Sequence, residues 1–229
     1  METLTFDNAT ALDNALADQV ATRLESAIQR DGCASLVVSG GRTPLGFFHQ
    51  LSQRSLDWSK VWITLADERW VDNSHSDSNE KLVRENLLIN RAAKGEFVPL
   101  KNSAASAQLG QAQTESRLAA MGDFTAVILG MGNDGHTASL FPRSETLSQG
   151  LDMGSGRSCL AVMPLEAPHE RISLTLPRLL QTDYLAIHIC GDDKHRVLED
   201  ALGGNDVAEL PIRAVIQQDQ CPVAVFWAS

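Results

Sequence analysis

The sequence predicts an α/β protein, a three-layer αβα sandwich around a mainly parallel sheet. Short apolar runs of strand length alternate with longer segments of helical periodicity along the whole chain. Most of these runs show no polar alternation, which is typical of strands covered by helices on both faces. No repeat, heptad or low-complexity tract indicates another architecture, and we expect one domain over residues 1–229.

The first half of the chain begins with a short apolar segment that suits an edge strand, followed by an amphipathic helix. In that helix apolar side chains recur every four residues, and Gly32 ends it. Further on, Thr43 stands before Pro44, so Thr43 is the expected N-cap of the next helix. The predicted elements are a strand at 4–6, a helix at 9–30, strands at 34–38 and 61–65 separated by a helix at 45–53, a helix at 80–88, a strand at 96–99 and a helix at 104–121.

The second half repeats the alternation of strands and helices. A helix is expected to begin near Asp134 and His136, and a Gly/Ser-rich surface connection follows as far as Arg157. Segment 172–176 alternates apolar and polar residues, which predicts a strand exposed on one face. The predicted elements are strands at 126–129, 159–163, 172–176, 184–190 and 223–227, with helices at 193–202 and 211–217.

The composition is that of an ordinary globular protein, and it narrows the possible functions. The chain has 19 basic and 29 acidic residues and a net charge of −10, so we expect no nucleic-acid partner. It has no apolar run of membrane-spanning length and no basic region followed by an apolar segment, so we expect a cytoplasmic protein without a membrane partner. The four cysteines form no C-x-x-C pair, and no metal site is expected.

The most informative stretch follows the apolar run 126–129. Its glycines, Gly130, Gly132 and Gly135, allow a sharp turn and a close approach of the backbone to a ligand. Asp134 and His136 then stand at the expected helix start, where unpaired N–H groups favour anions. A histidine at that point can transfer a proton near neutral pH. The alternative is a structural turn with an ordinary surface histidine.

A second alternative comes from the spacing of the same glycines, which matches the dinucleotide fingerprint G-x-G-x-x-G. That fingerprint requires an acidic residue at the end of a second strand about twenty residues later. Asp152 has roughly this spacing, but it lies in the Gly/Ser-rich segment 150–156, whose composition is that of a loop. The sequence therefore argues against a nicotinamide cofactor.

Another glycine-containing loop follows the predicted strand 34–38. The bare amides of Gly40 and Gly41, the hydroxyl of Thr43 and the charge of Arg42 together make a candidate phosphate cradle. It is not a nucleotide P-loop, because the Gly-Lys-Ser/Thr ending is absent. The alternative is a structural turn between a strand and a helix.

Charged residues follow two more of the buried strands. Asp67 and Arg69 come directly after one strand, and Lys194 follows another. Open α/β sheets bind ligands at the carboxyl ends of their strands, and an arginine can hold a phosphate with a two-pronged contact. The alternative is a cluster of surface salt bridges.

Two segments flank these charges. Residues 72–79 are polar and turn-rich, which is typical of a mobile lid. Arg171 precedes the alternating strand and is expected to point into the cleft. His169, two residues earlier, is expected to be a surface residue.

Five blocks of the sequence resemble the 6-phosphogluconolactonase family, in the order in which that family has them. The longest, GMGNDGHTASLFP at 130–142, is the specific one, because glucosamine-6-phosphate deaminases share its Asp-Gly-His but continue toward Asn-Glu-Pro. The other blocks are SGGRTP at 39–44, DERWV at 67–71, PHERIS at 168–173 and GDDK at 191–194. Arg42 departs from the pattern, since many relatives carry Ser there.

This resemblance implies a Rossmann-like αβα fold similar to that of glucosamine-6-phosphate deaminases and ribose-5-phosphate isomerases. It implies hydrolysis of 6-phospho-D-glucono-1,5-lactone to 6-phospho-D-gluconate, the second step of the oxidative pentose phosphate pathway, without a required cofactor. The partner is then a small sugar phosphate, and we expect a monomer, with a homodimer left open. A deaminase-like isomerase and a non-catalytic sugar-phosphate sensor are the alternatives.

A hypothesis for the roles of the residues accompanies the resemblance. His136 is the general base for a water molecule that attacks the lactone carbonyl, and Asp134 orients its imidazole. Arg171 or the amides of the expected helix start stabilise the oxyanion. The expected substrate- and phosphate-binding residues are Gly40, Gly41, Arg42, Thr43, Asp67, Arg69 and Lys194.

Overall fold

The structure, a computed structural model, describes residues 1–164 and 168–229 and contains two β-sheets and eight α-helices in these residues. In chain order the elements are β1 (Glu2–Phe6), α1 (Ala9–Asp31), β2 (Ala34–Val38), α2 (Leu45–Ser52), β3 (Val61–Leu65), β4 (Asp67–Arg69), α3 (Asn79–Asn86), β5 (Glu96–Phe97), α4 (Ala107–Ala119), β6 (Ala126–Leu129), α5 (Leu147–Leu151), β7 (Cys159–Val162), β8 (Arg171–Leu174), α6 (Leu176–Leu180), β9 (Leu185–Cys190), α7 (Asp192–Leu202), α8 (Arg213–Ile216) and β10 (Val223–Ala228). Two 3₁₀ helices, Trp58–Lys60 and Asn90–Lys94, flank β3 and β5.

The larger sheet is parallel throughout the described chain and has the strand order β1-β10-β9-β6-β2-β3-β5. Its central strands β2 and β6 are buried at every position, as expected for strands with helices on both faces. Helix α1 packs against β2, β6 and β10, and α7 packs against β9. The predicted α/β class with a mainly parallel sheet is confirmed, and β1 lies at the predicted edge.

Helix α1 shows how the sequence pattern produces this packing. Asn8 caps it by accepting the N–H of Ala11, and Gly32 ends it with a φ of 84°. Its buried face contains the apolar residues at four-residue spacing, Leu12, Leu16, Val20 and Leu24. Of the helices in the described residues, none has both the length and the hydropathy that crossing a membrane requires.

The strands that carry the predicted site loops are neighbours in the larger sheet. β9, β6, β2 and β3 lie side by side, and Val38 at the end of β2 pairs with Leu65 on one side and Ile128 on the other. Because these strands are parallel, the loops that follow them emerge at the same edge of the sheet. The predicted convergence of these loops is confirmed.

A smaller, antiparallel sheet with the order β4-β8-β7 has no counterpart in the sequence-based prediction. It pairs Arg69 with Arg171 across neighbouring strands. Its central strand β8 is buried at all four positions, so the prediction of a strand exposed on one face is wrong. The polar Ser173 is accommodated there because its hydroxyl accepts the N–H of Ser139 at 3.1 Å and donates to the carbonyl of Leu174 at 3.0 Å.

The histidine loop does not lead into a helix, so this prediction is also wrong. Residues 131–146 are all described, and they form turns, bends and an isolated bridge. Gly135 has a φ of 75° and Ala138 a φ of 50°, both outside the right-handed helical region. Two short helices lie where other structure was predicted. Helix α5 lies in the expected surface connection, and α6, capped by Thr175, begins at the end of the predicted strand 172–176.

Candidate active site

A cavity of about 260 Å³ lies where the loops after β2, β6 and β9 meet the smaller sheet. Of the two predicted site residues outside its lining, Arg42 is exposed, and Asp134 contacts His136 from behind. The predicted site residues that line the cavity are Gly40, Gly41, Thr43, Asp67, Arg69, His136, Arg171 and Lys194. The structure therefore brings together residues that are up to 154 positions apart in the sequence.

His136 and Asp134 form a close pair at the cavity. Nδ1 of His136 lies 2.6 Å from Oδ1 of Asp134, and the same oxygen accepts the His136 backbone N–H at 3.2 Å. This contact with the imidazole is the main reason why the pKa of Asp134 falls to about 2. The carboxylate is therefore ionised at neutral pH, and it holds the proton of the imidazole on Nδ1. Nε2 then carries the free lone pair.

The loop around this pair fixes the direction of the imidazole. The N–H of Gly132 donates to the carbonyl of His136 at 2.8 Å, and the hydroxyl of Thr137 donates to the carbonyl of Gly130 at 2.9 Å. A Cβ on Gly132 would overlap the ring of His136, so only glycine fits there. The ring of Phe141 covers the imidazole at a centroid distance of 4.7 Å.

The absence of a helix at this loop changes one of the expected roles. Without a helix start near Asp134, the described loop offers no row of unpaired helix amides for an oxyanion. The amides that do exist are already used in part, since Gly132 and Gly135 donate within the loop. The prediction that amides of a helix start stabilise the oxyanion is therefore wrong. Arg171 remains as the candidate for this role.

The glycine loop after β2 lines another part of the cavity. Gly41 has a φ of 93°, and a Cβ on Gly40 would overlap the side-chain amide of Asn79. Ser39 joins this loop to the histidine loop, because its hydroxyl donates to the carbonyl of Ile128 and accepts the N–H of Gly130, both at 3.2 Å.

The start of α2 differs in detail from the prediction. The N-cap is Pro44, with no side-chain cap, so the prediction that Thr43 caps this helix is wrong. Instead, the chain turns before the helix, and the N–H of Leu45 donates to the carbonyl of Arg42. Thr43 lies inside this turn and does not cap the helix. The hydroxyl of Thr43 thus remains available at the cavity, while the Arg42 side chain stays in solvent.

Asp67 and Arg171 lie together where β4 and β8 of the smaller sheet line the cavity, a part that we call its floor. Oδ2 of Asp67 accepts the hydroxyl of Ser139 at 2.5 Å and lies 3.5 Å from Nη1 of Arg171. Burial lowers the pKa of Arg171, and the charge of Asp67 opposes that shift. An arginine remains charged under such a shift. The guanidinium also lies over the ring of Phe141, at 5.4 Å from its centroid.

Arg69 is the second guanidinium of this floor, paired with Arg171 across the smaller sheet. Nη1 of Arg69 donates to the backbone carbonyl of Asp77 at 2.5 Å. In the described part of the chain, the buried Nε groups of both arginines have no hydrogen-bond acceptor. Two cations with unused donors are therefore available to an anionic ligand.

Lys194 approaches the cavity from the first turn of α7. It is half-buried, and this burial lowers the pKa of its ammonium group, while the charge of Asp134 raises it. A partly desolvated ammonium interacts with an anion more strongly than one in bulk water. The cavity thus has one cation on the side of the histidine loop and two on its floor.

Comparison with known proteins identifies the group to which this arrangement belongs. The model of the family described as glucosamine-6-phosphate isomerases/6-phosphogluconolactonase matches residues 7–227. The chain belongs to this family. A 6-phosphogluconolactonase from Rhizobium meliloti is 44% identical over 224 residues, which cover 97% of each protein. A crystal structure of a 6-phosphogluconolactonase from Shewanella baltica has 45% identity and a TM-score of 0.98, and covers 100% of this chain and 98% of its own.

More distant members of the family confirm the fold that the resemblance implies. A monomeric glucosamine-6-phosphate deaminase has a TM-score of 0.82 at 16% identity, covering 100% of this chain and 97% of its own. At such low identity the likeness concerns the fold alone. Several curated 6-phosphogluconolactonases are 34–44% identical to this chain.

Two polar residues at the cavity of this family member are not found by sequence reasoning. His188 lies in β9 and lines the cavity at 3% exposure, with Nε2 at 3.4 Å from Oδ1 of Asp13. Burial lowers the pKa of His188 to about 4 and raises that of Asp13 to about 6. The only signal in the sequence is a histidine inside the apolar run LAIHIC. The other missed residue, Asn79, lines the cavity beside Gly40.

Proposed function

We propose that this protein hydrolyses 6-phospho-D-glucono-1,5-lactone to 6-phospho-D-gluconate, the second step of the oxidative pentose phosphate pathway. The observation that carries this proposal is the Asp134–His136 pair at a cavity that also contains Arg69, Arg171 and Lys194. The imidazole supplies proton transfer, and the cations suit a phosphorylated substrate. The close relative from Rhizobium meliloti is a 6-phosphogluconolactonase.

The phosphate of the substrate binds between the glycine loop and the cations. Gly40 and Gly41 have no side chains to block an anion, and the hydroxyl of Thr43 lines the same wall. Lys194 and Arg69 supply the positive charge. Arg42 is exposed and does not line the cavity, so the proposed phosphate site does not include it. Binding at this end fixes the lactone ring in one orientation.

The chemical step uses His136 twice. Its Nε2 accepts a proton from water as the water oxygen bonds to C1 of the lactone, and the carbonyl electrons move onto oxygen. The tetrahedral intermediate then collapses, the bond from C1 to the ring oxygen breaks, and His136 returns the proton to that oxygen. The product is an acid with a free hydroxyl, and it ionises in water. Asp134 holds the tautomer that this cycle needs.

The guanidinium of Arg171 stabilises the oxyanion of the intermediate. It is buried, and the contact with Asp67 at 3.5 Å holds it in place before the substrate arrives. A preorganised cation stabilises developing charge without reorganisation at the moment of reaction. Asp67 is therefore a positioning residue in this proposal.

The proposed residues supply enough catalysis without a cofactor. General base catalysis contributes roughly 10²–10⁴-fold, and orientation of the reactants adds to it. The lactone is an activated ester that also opens unaided, so a large additional factor is not required.

A pH-stat assay on freshly generated 6-phosphogluconolactone tests the proposal, with the rate of acid release compared with a reaction that lacks the protein. We expect acid release well above the spontaneous rate, and no ammonia from glucosamine 6-phosphate. Ammonia release without lactone hydrolysis would identify a deaminase-like isomerase. Binding of phosphate without either reaction would identify a sugar-phosphate sensor.

We also propose that the protein is a monomer and that it is located in the cytoplasm. A homodimer is the alternative assembly. The four cysteines are free thiols, which fits a reducing compartment. Light scattering after size-exclusion chromatography tests the assembly, and cell fractionation tests the location.

A further inference from the structure

A group of metal-ligating side chains lies beside the cavity and outside the proposed chemistry. His75 and Asp77 belong to the loop between β4 and α3, and His169 lies just before β8. One ligand atom from each of the three lies within 4.8 Å of the other two. Because His169 and Asp77 are 92 residues apart in sequence, spacing rules for metal motifs do not detect the group.

We propose that His75, Asp77 and His169 bind a divalent transition-metal ion, with Zn²⁺ as the best match. Two imidazole nitrogens and one carboxylate oxygen form a ligand set that zinc accepts, with a fourth position for water. Calcium and magnesium require oxygen ligands instead. The sequence led us to expect no metal site, and this proposal revises that expectation.

The distances between the ligand atoms support the proposal. Oδ2 of Asp77 lies 3.0 Å from Nε2 of His169 and 3.9 Å from Nδ1 of His75. Ligands at about 2.0–2.2 Å from a tetrahedral ion are roughly 3.3 Å apart. Small rotations of these side chains, of which His75 is exposed and the other two are half-buried, therefore bring the three atoms to binding distance.

The loop geometry prepares the ligands before an ion binds. The backbone N–H of Asp77 donates to Nδ1 of His75 at 3.1 Å, so this nitrogen already carries a lone pair, and the ion replaces the N–H as its partner. Asp72 fixes the same loop through Ser74, with contacts of 2.9 Å to its N–H and 2.6 Å to its hydroxyl. His169 has a φ of 70°, a strained conformation that is more common at ligand sites than elsewhere.

A bound ion would cross-link two segments beside the cavity. It would tie the loop after β4 to the segment before β8, at the end where Trp70 N–H donates to the Glu170 carbonyl at 2.7 Å. Arg69 donates to the carbonyl of Asp77, so the same ion steadies the residue that holds this cavity cation. None of the three ligands is in the cavity lining, and the role is therefore structural.

Equilibrium dialysis of the whole chain against ZnCl₂, with bound metal measured by mass spectrometry, tests the proposal. The background carries Cys33→Ser, because Cys33 is an exposed thiol that can bind zinc by itself. We expect one zinc ion per chain and no binding from an equal concentration of MgCl₂. His75→Gln and His169→Asn should each weaken zinc binding by about 100-fold or more, since even outer-shell partners contribute about 10–100-fold. Asn is chosen because it tolerates a positive φ.

Two further variants separate this site from other histidines. His49→Gln is the matched control, because in the described structure the ring of His49 is exposed and hydrogen-bonds only with Gln53, and it should keep the full stoichiometry. His136→Asn should also keep it. Loss of zinc in His136→Asn, with retention in the two cluster variants, would overturn the proposal by assigning the ion to the Asp134–His136 pair.

A measurement on the unaltered side chains guards against misfolding of the variants. Imidazole ¹⁵N spectra should show zinc-dependent shifts for two histidines, which the variants assign to His75 and His169. Zinc that leaves these two signals unmoved would also overturn the proposal. Neither experiment uses the lactone, so the outcome is independent of the proposed hydrolysis.

Discussion

Asp134 decides which nitrogen of His136 can accept a proton. With a pKa of about 2 and a contact of 2.6 Å, its carboxylate stays ionised and keeps the imidazole proton on Nδ1. Gly132 and Phe141 restrict the ring on its other sides. With Nδ1 engaged by Asp134, Nε2 is the nitrogen left to accept a proton from water, as a general base must.

Replacement of His136 by Ala tests this role directly. We expect kcat to fall by about 10²–10⁴-fold, because the general base is lost. Phosphate binding, measured by calorimetry, should change little, because the cations and the glycine loop remain. His49→Ala, on the outer part of α2, is the control and should keep the wild-type kcat. A kcat for His136→Ala near that of the wild type would remove His136 from the base role.

The buried pair of Asp13 and His188 has two pKa shifts that link folding stability to pH. Asp13, with a folded pKa of about 6 against 3.8, binds more protons in the folded state, so alone it makes stability fall as pH rises between these values. His188, with a folded pKa of about 4 against 6.5, binds more protons in the unfolded state, so alone it makes stability rise over its window. The two effects oppose each other in the intact protein.

Removing either partner should therefore expose the effect of the other. Relative to the wild type, Asp13→Asn should gain stability as pH rises from about 4 to about 6.5, and His188→Gln should lose it from about pH 4 to about pH 6. The limiting slope for one proton is about 1.4 kcal/mol per pH unit. Urea unfolding across this range measures the slopes. Equal slopes in all three proteins would contradict the assigned pKa directions.

At the scale of elements, the glycine loop and α3 are fitted to each other. Gly40 approaches Asn79, whose side-chain amide donates to the backbone carbonyl of Asp67 at 2.9 Å. Glu68 holds the start of α3, since its carboxylate accepts the N–H groups of Asn79 at 2.8 Å and Glu80 at 2.7 Å. Gly40 therefore allows α3 to pack close to the glycine loop, and it also leaves room for a ligand.

Gly40→Ala should disturb this fit. The added Cβ overlaps the Asn79 amide, so the loop must move away from α3, and we expect a several-fold rise in KM and a lower Tm. Gly203→Ala is the control, because its Cβ meets nothing nearer than 3.5 Å and its φ of −79° suits alanine. Combining Gly40→Ala with Asn79→Ala should restore part of the Tm. No recovery in the double variant would place the cause elsewhere.

Elements that are long and uniformly apolar were predictable from the sequence, and short polar ones were not. The strands β2, β3, β6 and β9 agree with their predicted positions because burial on both faces requires continuous apolar runs. β4 has only the three residues Asp67–Arg69, all charged, so no periodicity indicates a strand. The expected helix at His136 was wrong because positive φ angles at Gly135 and Ala138 are invisible to composition.

At the scale of the molecule, the larger sheet accounts for the part of the candidate site that sequence reasoning found. Loops after parallel neighbouring strands must meet, so the glycine loop, the histidine loop and Lys194 were foreseeable together. The pairing of Arg69 with Arg171 depends on the smaller sheet, so it was not foreseeable from the sequence. The placement of His188 at the cavity also depends on tertiary packing, because its strand is otherwise apolar.

Because both sheets contribute to one site, we propose that residues 1–229 unfold as one unit. Ser139, from the histidine loop, links them by donating to Asp67 and by its N–H contact with Ser173 in β8. Thermal unfolding followed by far-UV and near-UV circular dichroism should show one coincident transition. Phosphate should raise its Tm as a single step, since a ligand of the folded state stabilises by RT ln(1 + [L]/Kd). Two separate transitions, with only one of them shifted by phosphate, would show that the smaller sheet melts on its own.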